Sequence, residues 1–448
     1  MLCKYPCIVS CYNKILVKHT YPIYENIHFN HIVGGGQTLG QLENGKKVFA
    51  WGVLPGETAT IKQTKKKSNF IEAIALSVKE PSNERVEPRD PESYLSTSPW
   101  QIMDFTSETH YKAALIEEAF ELHDIVLPDT IEVYTDGKEY EYRNKIEFSW
   151  WWDKDTEQLD LAFFRRGTRG KIPVEKTSLA RIEITEAAIR VRDYFRKRNI
   201  EARDLKTLLI RCNNGGKICA QLYVKNEKFF EFSEAAFEQL GIEGLEVIFS
   251  NPRSPASVIT KRMQQFGDVV LQDTILGIPF HYATEGFFQI NIPVYEQALR
   301  DMQTWIKPDK PVVDLYSGVG TIGLTIGGND VTLVEVNEHA VREMQRNIVT
   351  QPEKKLKAVL AASENALENI TNDVTIVVDP PRAGLHADVV KKLLETAPER
   401  IVYLSCNPVT QARDVALLAE KYGIRAHKGY NFFPHTPHIE HLVILDLK

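Results

Sequence analysis

Short apolar runs in the C-terminal third of the chain end at polar, chemically active side chains. Ile376–Val378 leads directly into Asp379, and Ile401–Leu404 is followed by Ser405 and Cys406. From about residue 285, such runs alternate with glycine turns and helical patterns, which favours a parallel sheet with helices on both faces. Ligands of open α/β sheets bind beyond the carboxyl ends of the strands. We therefore predict that one edge of this sheet carries a carboxylate and a thiol.

A glycine-rich turn marks a ligand site at the same edge. The apolar run Val312–Leu315 contains Asp314 and precedes a turn with Gly318 and Gly320, and the next predicted strand ends at Glu335. Glycines let the backbone approach a ligand, and an acid at the tip of the second strand can bind a ribose diol. The G-x-G-x-x-G spacing also allows a dinucleotide. The acid before the glycines favours a ligand of the S-adenosylmethionine type, and a glycine turn without a ligand is the remaining alternative.

The composition is that of an ordinary globular protein with two or three domains, with 448 residues and a formal net charge of −6. No apolar run approaches the roughly 20 residues that span a bilayer, and the N-terminus lacks a signal-peptide pattern, so a cytoplasmic location is expected. Sparse, scattered cysteines suit a reducing compartment. The spacing of Cys3, Cys7 and Cys11 matches no common metal-binding signature, so no metal site is predicted.

Positive charge is concentrated near the N-terminus. Residues 1–80 contain ten Lys and five Glu, with no Arg and no Asp. Four of these lysines form a cluster: Lys62, Lys65, Lys66 and Lys67. A local basic patch on an acidic protein can bind phosphates, although a solvated lysine-rich loop would have the same composition.

Three regions are predicted along the chain. Turn signals and short apolar runs over residues 22–80 indicate five strands in an OB-like barrel, a fold that often binds nucleic acid. Residues 81–284 are rich in strand patterns and include a helix over 106–124 that we expect to pack on the catalytic region. Residues 285–448 carry the alternating strand and helix patterns described above.

The motifs of these regions, in this order, resemble those of the RNA (uracil-C5)-methyltransferase family over nearly the whole chain from about residue 22. The matching segments are Val53-Leu54-Pro55-Gly56-Glu57, Tyr142-Arg143-Asn144-Lys145, Phe288-Gln289-Ile290-Asn291, Asp314–Gly320, Asp379-Pro380-Pro381-Arg382, Ser405-Cys406-Asn407-Pro408 and Phe433–Glu440. The resemblance implies a Rossmann-like class I methyltransferase domain, a TRAM barrel and a mixed central domain. It also implies S-adenosylmethionine as cofactor and RNA as partner. We expect a monomer, with 23S ribosomal RNA favoured over transfer RNA.

The resemblance also assigns residues by position. The residues expected to line the cofactor or uracil site are Gln289, Tyr316, Gly318, Gly320, Thr321, Glu335 and Asp379. Arg143 and Lys145 of the central motif are expected to contact RNA, and the local charge, not the resemblance, gives the same expectation for Lys62, Lys65, Lys66 and Lys67. The expected catalytic residues are Cys406, Glu440 and Asp379.

The chemistry explains these residue types, because carbon 5 of uracil is a poor nucleophile. A thiolate that adds to carbon 6 turns the ring into an enolate that can accept a methyl group at carbon 5, and Cys406 is the candidate thiolate. The carbon-5 proton must then leave before the thiol is eliminated, and Glu440 is the candidate base. Asp379 would orient the uracil, which must be unstacked or flipped out to reach the thiol.

Two features depart from the family pattern. Many members carry four cysteines that hold an iron–sulfur cluster, but here the corresponding stretch Asp90–Gln101 has no cysteine and Thr177 stands at the fourth position. Because Asp, Ser, Pro and Thr in this pattern cannot hold such a cluster, none is expected. Asn431 stands where the family often has Asp.

Three other functions compete with uracil methylation. An RNA cytosine-C5 methyltransferase shares the thiol chemistry, but typically has a second cysteine in a Pro-Cys motif where this chain has Asp379-Pro380-Pro381. An amino-group methyltransferase uses a similar acidic Pro-Pro loop but leaves Cys406 and Glu440 without a role. A non-catalytic RNA-binding or chaperone module would not require these side chains together. Methylation of uracil at carbon 5 is therefore the predicted function.

Overall fold

A computed structural model describes residues 21–168, 170–229 and 231–448. An N-terminal barrel, a strand-rich middle sheet and a C-terminal α/β sheet follow one another along the chain. Cys3, Cys7 and Cys11 lie outside the described residues. Within the described part of the chain, no helix is long and apolar enough to cross a membrane.

The N-terminal unit is a closed five-stranded barrel, which confirms the predicted architecture. Its strands are β1 (Ile23–Ile32), β2 (Thr38–Gln41), β3 (Lys47–Trp51), β4 (Thr58–Lys66) and β5 (Phe70–Glu80). Their order is β1–β2–β3–β5–β4, and β4 pairs with β1 to close the barrel, which leaves no free sheet edge. Alternate side chains of β4, such as Ala59 and Ile61, are buried in the barrel core. The exposed Lys62 and Lys66 lie on the outside of the same strand.

The segment after the barrel contributes to the C-terminal core. It forms α1 (Tyr94–Thr97), α2 (Phe105–Glu121) and β6 (Val133–Tyr134). Asp104 caps α2, because its carboxylate accepts a hydrogen bond from the Ser107 N–H at 2.9 Å. The buried face of α2, including Ile116 and Phe120, packs in one apolar cluster with residues of the C-terminal sheet.

A seven-stranded sheet forms most of the middle region. Its strands are β7 (Lys145–Asp153), β8 (Gln158–Phe164), β9 (Lys171–Pro173), β10 (Leu205–Cys212), β11 (Ile218–Val224), β12 (Gly244–Phe249) and β13 (Lys261–Gly267). The strand order is β13–β12–β11–β10–β7–β8–β9. The helices of this region are α3 (Ile182–Arg196) and α4 (Glu234–Glu238). Ala187 and Val191 of α3 bury their side chains against Phe148 and Leu208 of the sheet, so one apolar core holds this region together.

A hairpin and an eight-stranded sheet complete the chain. The elements are β14 (Val270–Ile275), β15 (Ile278–Ala283), α5 (Ile292–Gln303), β16 (Val312–Leu315), α6 (Thr321–Ile326), β17 (Asp330–Glu335), α7 (Glu338–Ile348), β18 (Lys355–Leu360), β19 (Thr375–Val378), α8 (Ala387–Thr396), β20 (Arg400–Ser405), α9 (Pro408–Leu418), β21 (Tyr422–Tyr430) and β22 (Glu440–Leu447). Two 3-10 turns, Ser363–Asn365 and Leu367–Asn369, precede β19. The sheet order is β18–β17–β16–β19–β20–β22–β21–β6.

The predicted parallel sheet is confirmed, and its topology creates a ligand site. The strands from β18 to β20 run parallel, whereas β22 is antiparallel to both β20 and β21. The chain order reverses on either side of β16, and such a switch point opens a crevice at the carboxyl ends of the strands. We propose a division into residues 22–80, 81–284 and 285–448, in which α2 and β6 of the second part join the core of the third.

Candidate active site

A cavity of 1470 Å³ lies at the carboxyl ends of the parallel strands. The predicted residues that line it are Gln289, Tyr316, Gly318, Thr321, Glu335, Asp379, Cys406 and Glu440. They come from segments that are far apart in sequence, and the sheet brings them together because parallel strands end at a common edge. The remaining predicted residues lie outside the cavity wall.

The glycine turn is joined to the tip of the next strand by Glu335. The N–H of Gly318 donates a hydrogen bond to Oε2 of Glu335 at 2.9 Å, and the N–H of Asn337 donates to Oε1 at 2.7 Å. Tyr316 and Gly318 have φ values of 64° and 57°, so the backbone turns back sharply here. A Cβ atom added to Gly318 would meet no atom within 4 Å, which shows that this backbone faces open space in the cavity. The turn thus offers a cradle that fits a nucleoside ligand.

Gly320 serves packing beneath the turn. A Cβ atom there would lie 2.9 Å from Cδ1 of Leu324, and its φ of 89° is strained for other residues. Asp314 lies at the end of β16 and accepts a hydrogen bond from the Gly323 N–H at 2.9 Å, which fixes the first turn of α6. Burial raises the pKa of the Asp314 carboxyl to about 8.

The structure adds Tyr295 to the predicted cofactor region. This residue of α5 lines the cavity, and its hydroxyl lies 2.7 Å from Oγ1 of Thr321. Burial raises the pKa of the phenol well above its usual value, so the hydroxyl stays protonated. Tyr295 sits among the apolar positions of an amphipathic helix, and the sequence pattern alone could not distinguish it from a core residue.

Two residues of the Tyr142–Lys145 segment support the site from the middle region. The Tyr142 hydroxyl donates a hydrogen bond to the carbonyl oxygen of Pro434 at 3.0 Å. Nδ2 of Asn144 donates to the carbonyl oxygen of Gln289, also at 3.0 Å. Both side chains are buried, so this segment connects the middle sheet to two segments that border the cavity.

Arg143 and Lys145, predicted to bind RNA, lie behind this border. The guanidinium of Arg143 is 5.9 Å from the centre of the Phe433 ring. Lys145 is half-buried. The pKa of its amine is lowered to about 8; burial is the largest cause and the nearby Arg211 charge is the second. Neither side chain lines the cavity.

Cys406 and Glu440 both lie next to the last registered pair of the neighbouring strands β20 and β22. Ser405 of β20 pairs with His441 of β22 in the antiparallel register. Cys406 follows Ser405 and Glu440 precedes His441, so both lie on the same side of this pair. Residues directly opposite in an antiparallel pair have Cβ atoms about 4.5–5.5 Å apart where the pairing continues. The thiol is half-buried and Glu440 is buried. The predicted nucleophile and the predicted base therefore border the same part of the cavity.

The free site favours protonated groups. The pKa of the Cys406 thiol is raised to about 11, mainly by burial and then by the Glu440 and Asp379 carboxyls, whereas the Arg382 charge lowers it. Burial also raises the pKa of Asp379 to about 7, and burial together with Asp379 raises that of Glu440 well above its usual value. Nucleophilic attack needs either a lowered thiol pKa or local removal of the proton, and this electrostatic setting leaves local removal.

Arg382, His438 and Phe433 form a further part of the wall. Nη2 of Arg382 lies 3.3 Å from Nδ1 of His438, whose ring packs edge-on against Phe433 with centres 5.9 Å apart. Burial, followed by the Arg382 charge, lowers the pKa of His438 to about 4, so the ring is neutral at neutral pH. These residues stand in the motifs that carried the resemblance, but motif membership alone did not place them in the wall.

The predicted lysine cluster lies on the barrel, outside the cavity. Lys62, Lys65, Lys66 and Lys67 are all exposed, and Lys65 forms an ion pair with Glu72 at 2.9 Å. The loop between β8 and β9 packs beside them, because a Cβ atom on Gly167 would lie 2.6 Å from Cγ2 of Thr64. This loop carries the exposed Arg165 and the half-buried Arg166, whose guanidinium lies 4.3 Å from the centre of the Trp51 ring. The barrel and the middle sheet thus share one basic surface.

A hydrogen-bonded network occupies the region where the resemblance places the cluster cysteines. Asp90 is buried and accepts hydrogen bonds from the N–H and hydroxyl of Ser178, at 2.9 and 2.7 Å. Oδ2 of Asp90 also lies 3.1 Å from Nε2 of Gln101 and 3.4 Å from Oγ1 of Thr177. Carboxylate and hydroxyl groups are poor ligands for iron–sulfur clusters, so these residues do not fit one. In the ranges that the structure describes, no group of three or more His, Cys, Asp or Glu side chains is arranged to hold a metal ion.

Comparison with known proteins identifies the family. The sequence profile of the tRNA (uracil-5-)-methyltransferases matches residues 106–448. The chain belongs to this family. It is therefore an S-adenosylmethionine-dependent RNA (uracil-C5)-methyltransferase, as the motifs indicated.

Relatives match along nearly the whole chain. An uncharacterized RNA methyltransferase of Enterococcus faecalis is 29% identical over 426 residues, which cover 89% of this chain and 92% of that protein. One from Nitratidesulfovibrio vulgaris is 27% identical and covers 92% and 94% of the two chains. The fold is similar to that of the Pyrococcus abyssi tRNA (uracil-54, C5)-methyltransferase solved with S-adenosyl-L-homocysteine. The TM-score is 0.76 at 21% identity, over 94% of this chain and 100% of that one.

Proposed function

We propose that this methyltransferase acts through a covalent adduct between Cys406 and carbon 6 of the target uracil. The observation that carries the proposal is the position of Cys406 and Glu440 next to the last registered pair of β20 and β22, at the wall of a cavity that also contains Asp379 and the glycine turn. A thiol and a carboxyl on opposite strands can address two neighbouring carbons of one flat ring. This arrangement serves the two proton-coupled steps of carbon-5 methylation.

The residues at the glycine turn would hold S-adenosylmethionine. Glu335 offers carboxylate oxygens to a ribose diol, while Gly318 and Tyr316 form the floor of the cradle. When bound, the cofactor supplies a methyl group on a positively charged sulfur. Asp379, at the end of β19, lies where it can reach both the cofactor and the uracil.

The reaction begins when the Cys406 thiol passes its proton to the ionised form of the Asp379 carboxyl. The sulfur then adds to carbon 6 of uracil, and the electron pair of the carbon 5–carbon 6 double bond becomes available at carbon 5. Asp379, whose carboxyl has a pKa raised to about 7 by burial, can donate a hydrogen bond to a uracil oxygen that gains negative charge. After carbon 5 is methylated, Glu440 in its ionised form takes the carbon-5 proton, the double bond re-forms and the thiolate leaves. Because the free site favours the protonated carboxyl, Glu440 must first release its own proton to solvent.

The RNA would approach along the basic surface of the barrel and middle sheet. Lys62, Lys65, Lys66 and Lys67 supply exposed charges on the barrel. Positive charge continues from this surface to the cavity wall. The pKa of His438, which lines the cavity, is lowered first by burial and then by the charges of Arg382, Lys112, Arg143 and Arg166. Such a surface binds the phosphate backbone without selecting a sequence.

We propose 23S ribosomal RNA as the substrate, from the family resemblance. Transfer RNA is the second candidate, because the family profile and the similar Pyrococcus abyssi enzyme both carry transfer RNA in their names. Mass-spectrometric mapping of 5-methyluridine in both RNAs, from cells with and without this protein, separates the two. Loss of one 5-methyluridine from 23S RNA supports the first candidate, and loss from transfer RNA supports the second. If neither RNA changes, both substrate assignments are wrong.

A further inference from the structure

The loop from residue 431 to 439, here called the β21–β22 loop, determines where several active-site groups lie. It carries Phe433 and His438 and leads directly into Glu440, and these three residues line the cavity. His435, in the middle of the loop, has a φ of 62°, a left-handed conformation that is uncommon for residues other than glycine. Surrounding contacts must hold the loop in this conformation.

Two buried charges on α2 supply such contacts. Glu108 and Lys112 lie one helical turn apart, both side chains are fully buried, and Nζ of Lys112 is 2.8 Å from Oε1 of Glu108. The ammonium group also donates to Oδ1 of Asn431 at 2.5 Å and to the carbonyl oxygen of Phe433 at 3.1 Å. All three donors of the lysine are therefore used, two of them on the β21–β22 loop.

Glu108 holds the same loop through its carboxylate. Oε1 accepts a hydrogen bond from Nδ2 of Asn431 at 2.9 Å, and Oε2 accepts one from the N–H of His435 at 2.8 Å. The His435 ring stacks on Tyr140 with centres 4.3 Å apart, which braces the other side of the loop. The ion pair on α2 thus contacts the loop at residues 431, 433 and 435.

Asn431 suits this arrangement better than an aspartate would. Its amide donates to Glu108 and accepts from Lys112, so one side chain satisfies both partners. An ionised carboxylate could not donate to Glu108 and would place two carboxylates around one ammonium group. The asparagine therefore belongs to the same buried unit as the ion pair.

Stability alone is a poor explanation for this unit. Removing two charges from water is costly, and apolar residues of similar size often stabilise a core as well as a buried ion pair does. What the pair adds is a fixed position, because each charged group makes directional hydrogen bonds to the loop. We propose that Glu108 and Lys112 are positioning residues for methyl transfer, which hold Glu440, Phe433 and His438 at the uracil side of the cavity. This inference rests on the proposed role of Glu440 as the base.

The test uses the double variant E108Q/K112M, which removes both charges and leaves no unpaired buried ion. Its control is E57Q/R85M, because the buried Glu57 of the barrel forms another ion pair, 2.6 Å from the partly buried Arg85 that follows β5. We expect E108Q/K112M to keep its affinity for S-adenosylmethionine but to lose at least tenfold in kcat, with a higher ratio of covalent RNA adduct to released product. The control should keep the wild-type ratio. This ratio does not depend on the fraction of folded enzyme, so a purely structural role would leave it unchanged.

A second variant, N431A, tests the proposal even if the double variant does not fold. N431A keeps the ion pair and removes only its side-chain contact with the loop, so we expect a smaller change of the adduct-to-product ratio in the same direction. Wild-type ratios in N431A and in folded E108Q/K112M would overturn the positioning role. If wild-type enzyme forms no adduct with 5-fluorouridine RNA, the covalent mechanism itself is wrong, which is a separate outcome.

Discussion

Cys406 follows Ser405 and Glu440 precedes His441, so these two cavity-lining residues flank the last registered pair of β20 and β22. The antiparallel contact between these strands is what brings a thiol and a carboxyl to one side of the cavity. The final strand of the chain therefore carries the proposed base, Glu440, at its first residue.

Replacement of the proposed nucleophile should separate chemistry from binding. Cys406→Ala should lower methyl transfer below detection, because no thiolate remains to activate carbon 5, while S-adenosylmethionine binds as in the wild type. Transfer of labelled methyl groups to RNA measures the first quantity, and calorimetry measures the second. Wild-type enzyme should form a stable adduct with 5-fluorouridine RNA, whereas the variant should form none. Substantial turnover by Cys406→Ala would show that the thiol is not essential.

Replacement of the proposed base should stop the reaction at a later stage. Glu440→Gln should still form the adduct and methylate the uracil, but product release should slow by about 10²–10⁴-fold, the usual contribution of a general base. A protein–RNA crosslink that accumulates with ordinary RNA, seen on a denaturing gel, is the expected observation. Equal adduct levels and turnover in the variant and the wild type would assign proton removal to another group.

The electrostatics of the free site predict that the Cys406 thiol reacts slowly near neutral pH and faster as the pH rises. Because the pKa of Cys406 is raised to about 11, the thiolate fraction should increase about tenfold per pH unit between pH 7 and 10. Alkylation by iodoacetamide, followed at the Cys406 peptide by mass spectrometry, should show this slope. Glu440→Gln should react faster at a given pH, because its carboxyl raises the thiol pKa. A reaction rate that is independent of pH in this range would contradict the assignment.

The Asp90 network should stabilise the protein without a metal. Asp90→Ala leaves the N–H and hydroxyl of Ser178 without their acceptor, so we expect a loss of about 1–3 kcal/mol in unfolding free energy. Denaturant titration measures this change, and added iron and sulfide should not alter it. Iron and labile-sulfide analysis of the wild-type protein should be blank. Stoichiometric iron in the wild type would instead direct attention to Cys3, Cys7 and Cys11.

The lysine cluster should contribute to RNA affinity, and its contribution should appear as a dependence of that affinity on salt concentration. Replacement of Lys62, Lys65, Lys66 and Lys67 by alanine should reduce the slope of log K against log salt by about 0.7–0.9 per lost phosphate contact. Filter binding at several salt concentrations provides the slope. Lys391→Ala, an exposed lysine on α8, serves as a control for charge removal and should leave the slope nearly unchanged. An unchanged slope in the quadruple variant would mean that these lysines are only solvated.

The sequence predicted the barrel, the parallel sheet and eight of the residues that line the cavity, because each depends on local patterns or on short motifs. The cradle at Gly318 and Glu335 follows from strand, turn and strand in order. The position of Cys406 and Glu440 next to one registered pair depends on a long-range antiparallel register, which no local pattern encodes. Tyr295 was indistinguishable from a core residue, and no sequence pattern singled out Glu108 and Lys112. Such buried polar partners become visible only once helix and loop are placed together.

Glu335 has a consequence for how a nucleoside would enter. Its two oxygens already accept backbone N–H groups from Gly318 and Asn337, so the turn keeps its shape in the protein alone. The conformational entropy of this segment is lost during folding, and little of it remains to be lost when the ligand arrives. The incoming ribose would share the carboxylate with these N–H groups. Loss of the carboxylate would therefore weaken binding twice, by removing a ligand contact and by leaving the turn free to sample other conformations.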